Sequence, residues 1–363
     1  MTSSWRRLGL GFALAAMAQV GASAATQAPT AAPPPWTAPV VRSVVPAAPV
    51  YLRTRVAELG RNFNGRVGIA VKSVDEGWSA GWKGDELYPQ QSVSKMWVAI
   101  TALDAVDRGR VRLDDKVSLS RGDLTVFHQP IAAKILGGGH TTTLSALMWE
   151  AITKSDNTAN DKLMRSVGGA EAVRSMIAAK RLGAIRFYNG ERALQSRIAG
   201  LVWAPSYSIG RAFYQARDAL PKSVRKAAFD RYVEDPYDGA APTAIVSALS
   251  RLKRGELLSP DSTRRLLTVM GNTKTGANRL KGGLKPGWTL SHKTGTGQVF
   301  GPFQAGYNDI GILTAPDGRS YAVAVMIKKT SVPLPTRMTL MNNVVRAVIA
   351  QHEMTRAGNL AGR

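Results

Sequence analysis

Two runs near the start of the chain carry the pattern of strands: Arg66 to Val74 (RVGIAVKSV) and Gly77 to Lys83 (GWSAGWK), joined through Asp75-Glu76. Three more come late, Trp288 to Thr296, Asp309 to Thr314 and Tyr321 to Lys328, the last two linked by the turn Ala315-Pro316-Asp317-Gly318. Between the two groups, about 200 residues carry mainly helix and loop patterns. Helical segments also bracket the strands, Leu52 to Phe63 before and Thr336 to His352 after. Sheet residues drawn from both ends of the chain, around a helical middle, predict an α+β fold. Its antiparallel five-stranded sheet is flanked by terminal helices, an all-helical subdomain is inserted at about 92–285, and a cleft lies between the two. No internal repeat is visible.

The N-terminus changes that picture only locally. Trp5, Arg6 and Arg7 precede an apolar run from Leu8 to Val20, and Ala22-Ser23-Ala24 supplies small residues at cleavage-site spacing. This predicts a signal peptide over 1–24, and hence export and a periplasmic location. Ala25 to about Pro49 is rich in Ala, Pro and Thr, which predicts a linker over 25–50. The catalytic domain is then expected over 51–355, with a short tail at 356–363. No later segment approaches the roughly 18 uninterrupted apolar residues of a membrane span. Cysteine is absent, so the core has neither disulfides nor thiolate metal sites to draw on. The formal charge of +23 raises nucleic acid as a partner. The basic residues are scattered, however, and no basic run is interleaved with aromatics, which favours a basic envelope protein with no nucleic-acid role.

Candidate chemistry centres on YPQQSVSKMWVAI, Tyr88 to Ile100, where Ser92 stands three residues before Lys95 at the start of an apolar helix. The bare pattern recurs at Ser223/Lys226 and Ser250/Lys253, so spacing alone decides nothing. Order does more. Ser155-Asp156-Asn157 follows in AITKSDNTAND, and Lys293-Thr294-Gly295 follows in the strand WTLSHKTGTG, whereas a second Lys-Thr-Gly at Lys274 falls in the loop GNTKTGAN. A serine hydroxyl needs an adjacent base or cation to become a nucleophile. On a helix, positions i and i+3 share a face, so Lys95 can approach the Ser92 oxygen, and the helix N-terminus adds a favourable field. Lys293 adds positive potential that both depresses a neighbouring lysine's pKa and attracts an anionic substrate. Taken singly, Ser155-Asp156-Asn157 reads equally well as a helix cap, and His292 as a packing residue.

With the three motifs in this order, the chain resembles the class A serine β-lactamases and their penicillin-binding relatives. The resemblance runs from Tyr51 to His352 and is densest in YPQQSVSK, in Leu144 to Met164, and in Arg279 to Lys328. It implies a two-lobed fold with the nucleophile between the lobes. It makes Ser92 the acylated residue, Lys95 its activator, Ser155 a proton relay to the leaving nitrogen, and Asn157 a contact to the substrate's acylamide. Lys293, Thr294, Gly295 and Thr296 become the wall that binds substrate, and the backbone N–H groups of Ser92 and Thr296 the oxyanion hole. The family's deacylating glutamate falls on Glu191, in Glu191-Arg192-Ala193-Leu194-Gln195, where a carboxylate can act as base toward water. Arg279 takes the place of an arginine that pairs with the substrate carboxylate, and Phe127 that of a cleft aromatic.

The sequence departs from the family pattern at three points. Gln195 replaces an asparagine, Asn189 replaces the arginine that closes the omega loop, and an inserted segment at about 196–241 lengthens that loop by roughly thirty residues. The other family position for a carboxylate-binding arginine holds Asn308. The expectation is an exported, monomeric serine hydrolase acting on β-lactams, with no metal or organic cofactor. Two rivals stay open: a penicillin-interacting D,D-peptidase or esterase of the same fold, and an inactive cell-wall binding module.

Overall fold

The computed structural model describes residues 45–361, so the expected signal peptide and the linker up to residue 44 lie outside the described residues. Five strands form the body of the sheet, in the order Ser79–Trp82, Arg66–Ser73, Ser320–Thr330, Phe303–Thr314 and Thr289–Thr296, with antiparallel pairing at every step. A two-residue strand, Val299–Phe300, folds back onto Gln304 and Phe303 and makes six. The fourth strand begins six residues earlier than the local pattern predicts, at Phe303 rather than Asp309. Its first half, FQAGYN, is held extended by neighbours on both sides, since Tyr307 pairs with Ile327 and with Thr296. Strand formation there is set by cross-strand contacts more than by propensity.

Period-two alternation divides the sheet between two cores. Val323, Val325 and Ile327 face the terminal helices, Val50–Arg61 and Leu334–Ala361, where Leu52, Val56, Val344 and Val348 are buried with them. Ala322, Ala324 and Met326 face the other way, into a core shared with Ile245 and Leu249 of helix Pro242–Lys253 and with Met96 and Ile100 of helix Lys95–Asp107. Every residue from Lys95 to Ala105 is buried. Up to Ala105 this helix therefore runs through the helical lobe without a solvent face, as the apolar residues on all its sides require. The final helix continues to Ala361, through most of the stretch expected as a tail.

The inserted segment is helical. Its first residues complete helix Glu191–Ile198, and helices Ala212–Ala219 and Lys222–Glu234 follow. Leu194 and Ile198 pack with Phe229, Tyr232 and Val233 of the insertion and with Ala305 of the sheet. The loop is thus bolted to the body of the protein by an apolar cluster. Two small pairings, Tyr88–Pro89 with Gly239–Ala240 and Lys116–Leu119 with His140–Thr143, are too short to leave a pattern in the sequence. Among the described residues, no helix is long and apolar enough to cross a membrane.

Candidate active site

Ser92 lies in a 3-10 turn, Gln91–Ser94, that feeds helix Lys95–Asp107. This corrects the expectation that Ser92 opens the helix itself. The tighter turn keeps the i, i+3 relation, and Lys95 Nζ stands 2.7 Å from Ser92 Oγ. Lys95 is fully buried, and its Nζ also donates to Asn157 Oδ1 at 2.8 Å and to Glu191 Oε1 at 2.5 Å. An ammonium has three donors, and here each one meets an acceptor. Glu191 is buried too, so it is no exposed structural glutamate.

Ser155 and Asn157 reach the site from the start of helix Asn157–Ser166. Asp156 between them is the cap: its carboxylate accepts from Ala159 N at 2.8 Å and from Ile131 N at 2.6 Å. The cap reading holds for Asp156, and capping there leaves its two neighbours free to line the cleft. Lys293, on strand Thr289–Thr296, donates to Ser155 Oγ at 2.9 Å and is wholly buried. Burial first, and the charge of Lys95 second, push the Lys293 amine well below the usual lysine range.

The strand carrying Lys293 presses directly on the nucleophile turn. A Cβ at Gly295 would sit 2.2 Å from the carbonyl oxygen of Gln90, and one at Gly297 would sit 1.6 Å from that of Ala305. Only glycine fits either position. Thr294 Oγ1 shares a hydrogen bond of 2.7 Å with Thr275 Oγ1. The second Lys-Thr-Gly is thus not remote from the site: its threonine lines the cleft beside the first, a placement its loop context concealed. Arg279 is buried rather than a surface arginine. Its guanidinium donates to the carbonyls of Gly295 and Asn308 at 3.0 and 2.7 Å and to Thr296 Oγ1 at 2.6 Å, and stacks 3.8 Å over Tyr307. Asn308 faces away, donating to Pro89 O at 2.7 Å. His292 is buried against Asp309, 2.9 Å from Nδ1, as a packing and hydrogen-bonding residue.

Glu191 opens the helix Glu191–Ile198, and its backbone N–H donates to Asp161 Oδ1 at 2.9 Å. The neighbouring Arg192 donates to Leu124 O at 3.1 Å. Asn189, where the family arginine was expected, accepts instead from Arg174 Nη1 at 3.1 Å. The loop is therefore clamped by different residues, and Gln195 joins them. Its Nε2 donates to Glu191 Oε2 at 3.1 Å and to Gln91 Oε1 at 3.0 Å, while its Oε1 accepts from Gln298 at 3.0 Å. Gln91 Nε2 in turn donates to Tyr232 of the insertion at 2.6 Å, and the Tyr232 hydroxyl donates to Asp238 at 3.0 Å. Asp238 also accepts from Gln91 N at 2.7 Å. A buried chain of hydrogen bonds thus links Glu191 to Asp238 and passes directly behind the nucleophile.

The cleft has a volume of about 590 Å³. Ser92, Ser155, Asn157 and Phe127 line it on the helical side, with Thr294, Thr296 and Arg279 on the sheet side. Lys95, Glu191 and Lys293 stand just behind, bonded to these walls. Gln91, Phe127 and Ser155 all have positive φ, at 54°, 66° and 61°. Non-glycine residues held in this region gather where surrounding structure imposes them, often at functional sites. The alternative serine–lysine pairs lie elsewhere: Ser250 accepts from Arg254 at 2.7 Å, and Lys226 pairs with Asp230 at 2.5 Å. Thr275, Gln298 and Arg217 also line the cleft and were not foreseen. Arg217 comes from the insertion, whose contact with the site no local signal could reveal.

The family model described as the beta-lactamase enzyme family matches residues 51–352. The chain is 25% identical over 279 residues to beta-lactamase VEB-1 of Pseudomonas aeruginosa, covering 77% of this chain and 83% of that protein. It is 28% identical over 286 residues to the extended-spectrum beta-lactamase PER-1 of the same organism, covering 78% and 80%. Among solved structures, a beta-lactamase from Chitinophaga pinensis aligns with a TM-score of 0.68 at 28% identity, over 82% of this chain and 97% of that one. An ancestral class A beta-lactamase aligns with a TM-score of 0.66 at 29% identity, over 83% and 99%.

Proposed function

The chain belongs to the beta-lactamase enzyme family, and from that premise we propose that it opens the β-lactam amide through an acyl-enzyme on Ser92, which a water activated by Glu191 then hydrolyses. One observation carries the reading: Lys95 Nζ stands 2.7 Å from Ser92 Oγ and 2.5 Å from Glu191 Oε1, so one buried amine joins the nucleophile to the base. Lys95, having passed a proton to Glu191, takes the proton of Ser92 as Oγ bonds the carbonyl carbon. Ser155, held by Lys293, delivers a proton to the leaving nitrogen as the C–N bond breaks. One proton then passes from Lys95 to refill Ser155 and is replaced on Lys95 by the one held on Glu191, which closes the count before the second step. In that step the water gives a proton to Glu191 as it attacks the ester, and Ser92 recovers one through Lys95. The hydroxyls of Thr294, Thr296 and Thr275, with the Arg279 guanidinium behind them, suit the carboxylate of the lactam nucleus.

A second reading, the penicillin-interacting peptidase or esterase, draws on Gln195. Both hydrogens of its amide are engaged by Glu191 and Gln91, which leaves neither to hold the hydrolytic water. An adduct that forms quickly and decays slowly would favour it. The buried and mutually bonded motif residues argue against an inactive binding module. Export to the periplasm belongs to the same proposal, and N-terminal sequencing of the secreted protein tests it.

The deciding experiment is intact-protein mass spectrometry with a penicillin. Glu191→Gln, in which deacylation is blocked, is expected to gain the mass of the drug and Ser92→Ala to gain none, while wild type returns as free enzyme with hydrolysed drug. Labelling that survives in Ser92→Ala would place the nucleophile elsewhere.

A further inference from the structure

Helix Ala212–Ala219 of the insertion forms one bank of the cleft. Phe213 packs edge-on against the cleft residue Phe127, with ring centroids 4.8 Å apart. Arg217 lies four residues further along, on the same face of the helix, and lines the same cleft as Phe127. Its Nε and Nη2 both stand 3.1 Å from Asp218 Oδ1, and Arg225 Nη1 stands 3.2 Å from that same oxygen. Two guanidinium groups thus share one carboxylate, which leaves a net positive charge. Arg217 Nη1 has no hydrogen-bond partner among the described residues, and no carboxylate side chain lines the cleft. Arg279, across the cleft, has its guanidinium engaged by Gly295, Asn308 and Thr296.

The cleft therefore presents positive charge on two banks, and a lactam nucleus carries only one carboxylate. The geometry points to Arg217 as the recognition residue for a second anionic group, a carboxylate on the acyl side chain of the substrate. This rests on the β-lactamase reading of the site. If Ser155 meets the lactam nitrogen and Asn157 the side-chain amide, the side chain leaves the nucleus along the bank built by Phe127, Gln195 and Arg217. The preferred substrates are then β-lactams whose acyl group bears an acid, and the inserted segment is what selects them.

Benzylpenicillin and its α-carboxy derivative differ by that one group and provide the test. Acylation rate constants for both are read by mass spectrometry on wild type, Arg217→Gln and Arg217→Lys. The ratio of the dicarboxylate rate to the monocarboxylate rate cancels any loss of folded protein. It is expected to fall roughly tenfold in Arg217→Gln, the size of one charge-assisted hydrogen bond, and by less in Arg217→Lys, which keeps the charge but not the fork. A ratio unchanged in Arg217→Gln, with both drugs still labelling Ser92, overturns the assignment and leaves the β-lactamase reading standing. If wild type neither labels with nor hydrolyses either drug, the β-lactamase reading falls and this assignment falls with it.

Discussion

At the scale of single residues, the proposed mechanism turns on Glu191, which would decide between turnover and trapping. Its Oε1 is taken by Lys95 and its Oε2 by Gln195, so any water it activates must share Oε2 with an amide hydrogen. Glu191→Gln removes the proton acceptor while Lys95 keeps its 2.7 Å approach to Ser92. Turnover is expected to drop by about a hundredfold or more, with both steps slowed and deacylation the more, because Lys95 stays beside Ser92 whereas the hydrolytic water has no other base. The acyl adduct should then persist on Ser92 in a mass spectrum taken minutes after mixing. A variant that turns over like wild type would remove Glu191 from the mechanism. That Ser92 meets Lys95 and Ser155 meets Lys293 was legible in the sequence, because three short motifs carry them in the order of the family the chain resembles. Gln91, Tyr232 and Asp238 were not, because many hydrogen-bonding residues could support a nucleophile, and these come together only through the fold.

At the scale of elements, the insertion acts as scaffold more than as ornament. Helix Lys222–Glu234 delivers Tyr232 to Gln91 and Asp238, and Phe229 to the cluster that holds helix Glu191–Ile198. Tyr232→Phe keeps the ring and deletes the hydroxyl, which strands Gln91 Nε2 in a dry site. We expect a loss of about 1–3 kcal/mol in stability, read from the denaturant midpoint. Slower decay of the acyl adduct should accompany it, because Gln91 also anchors Gln195. Unchanged stability and unchanged decay would show that the chain of bonds behind the nucleophile is idle. The five main strands could be read from the sequence because buried strands concentrate branched residues. The turn Gln91–Ser94 could not, because Asp238 and Tyr232, distant in sequence, hold Gln91 at its positive φ.

At the scale of the whole molecule, the site stores electrostatic tension that acidity can release. Burial first raises the carboxyl of Asp238 from 3.8 to about 7, and burial and then Glu191 raise that of Asp161 to about 6. Between pH 4 and 7 these two groups therefore hold more protons in the folded protein than in the unfolded chain, so the stability they contribute is greatest below that window and declines as pH rises through it. Asp238→Asn should flatten this decline, by an amount on the order of a few kcal/mol, leaving the smaller slope from Asp161. Chemical denaturation at pH 5 and at pH 8 checks it, and parallel profiles for the two proteins would refute the assignment. A last consequence concerns the close fit of the sheet edge against the nucleophile turn. Because Gly295 against Gln90 and Gly297 against Ala305 admit no side chain, and Thr296 is held by Arg279, the exposed Val299 is the position along that wall most open to change. A lineage adapting to unfamiliar drugs would find one bank of its cleft nearly closed to variation. Its heritable change would accumulate on the other bank, in the helices that were added to the loop.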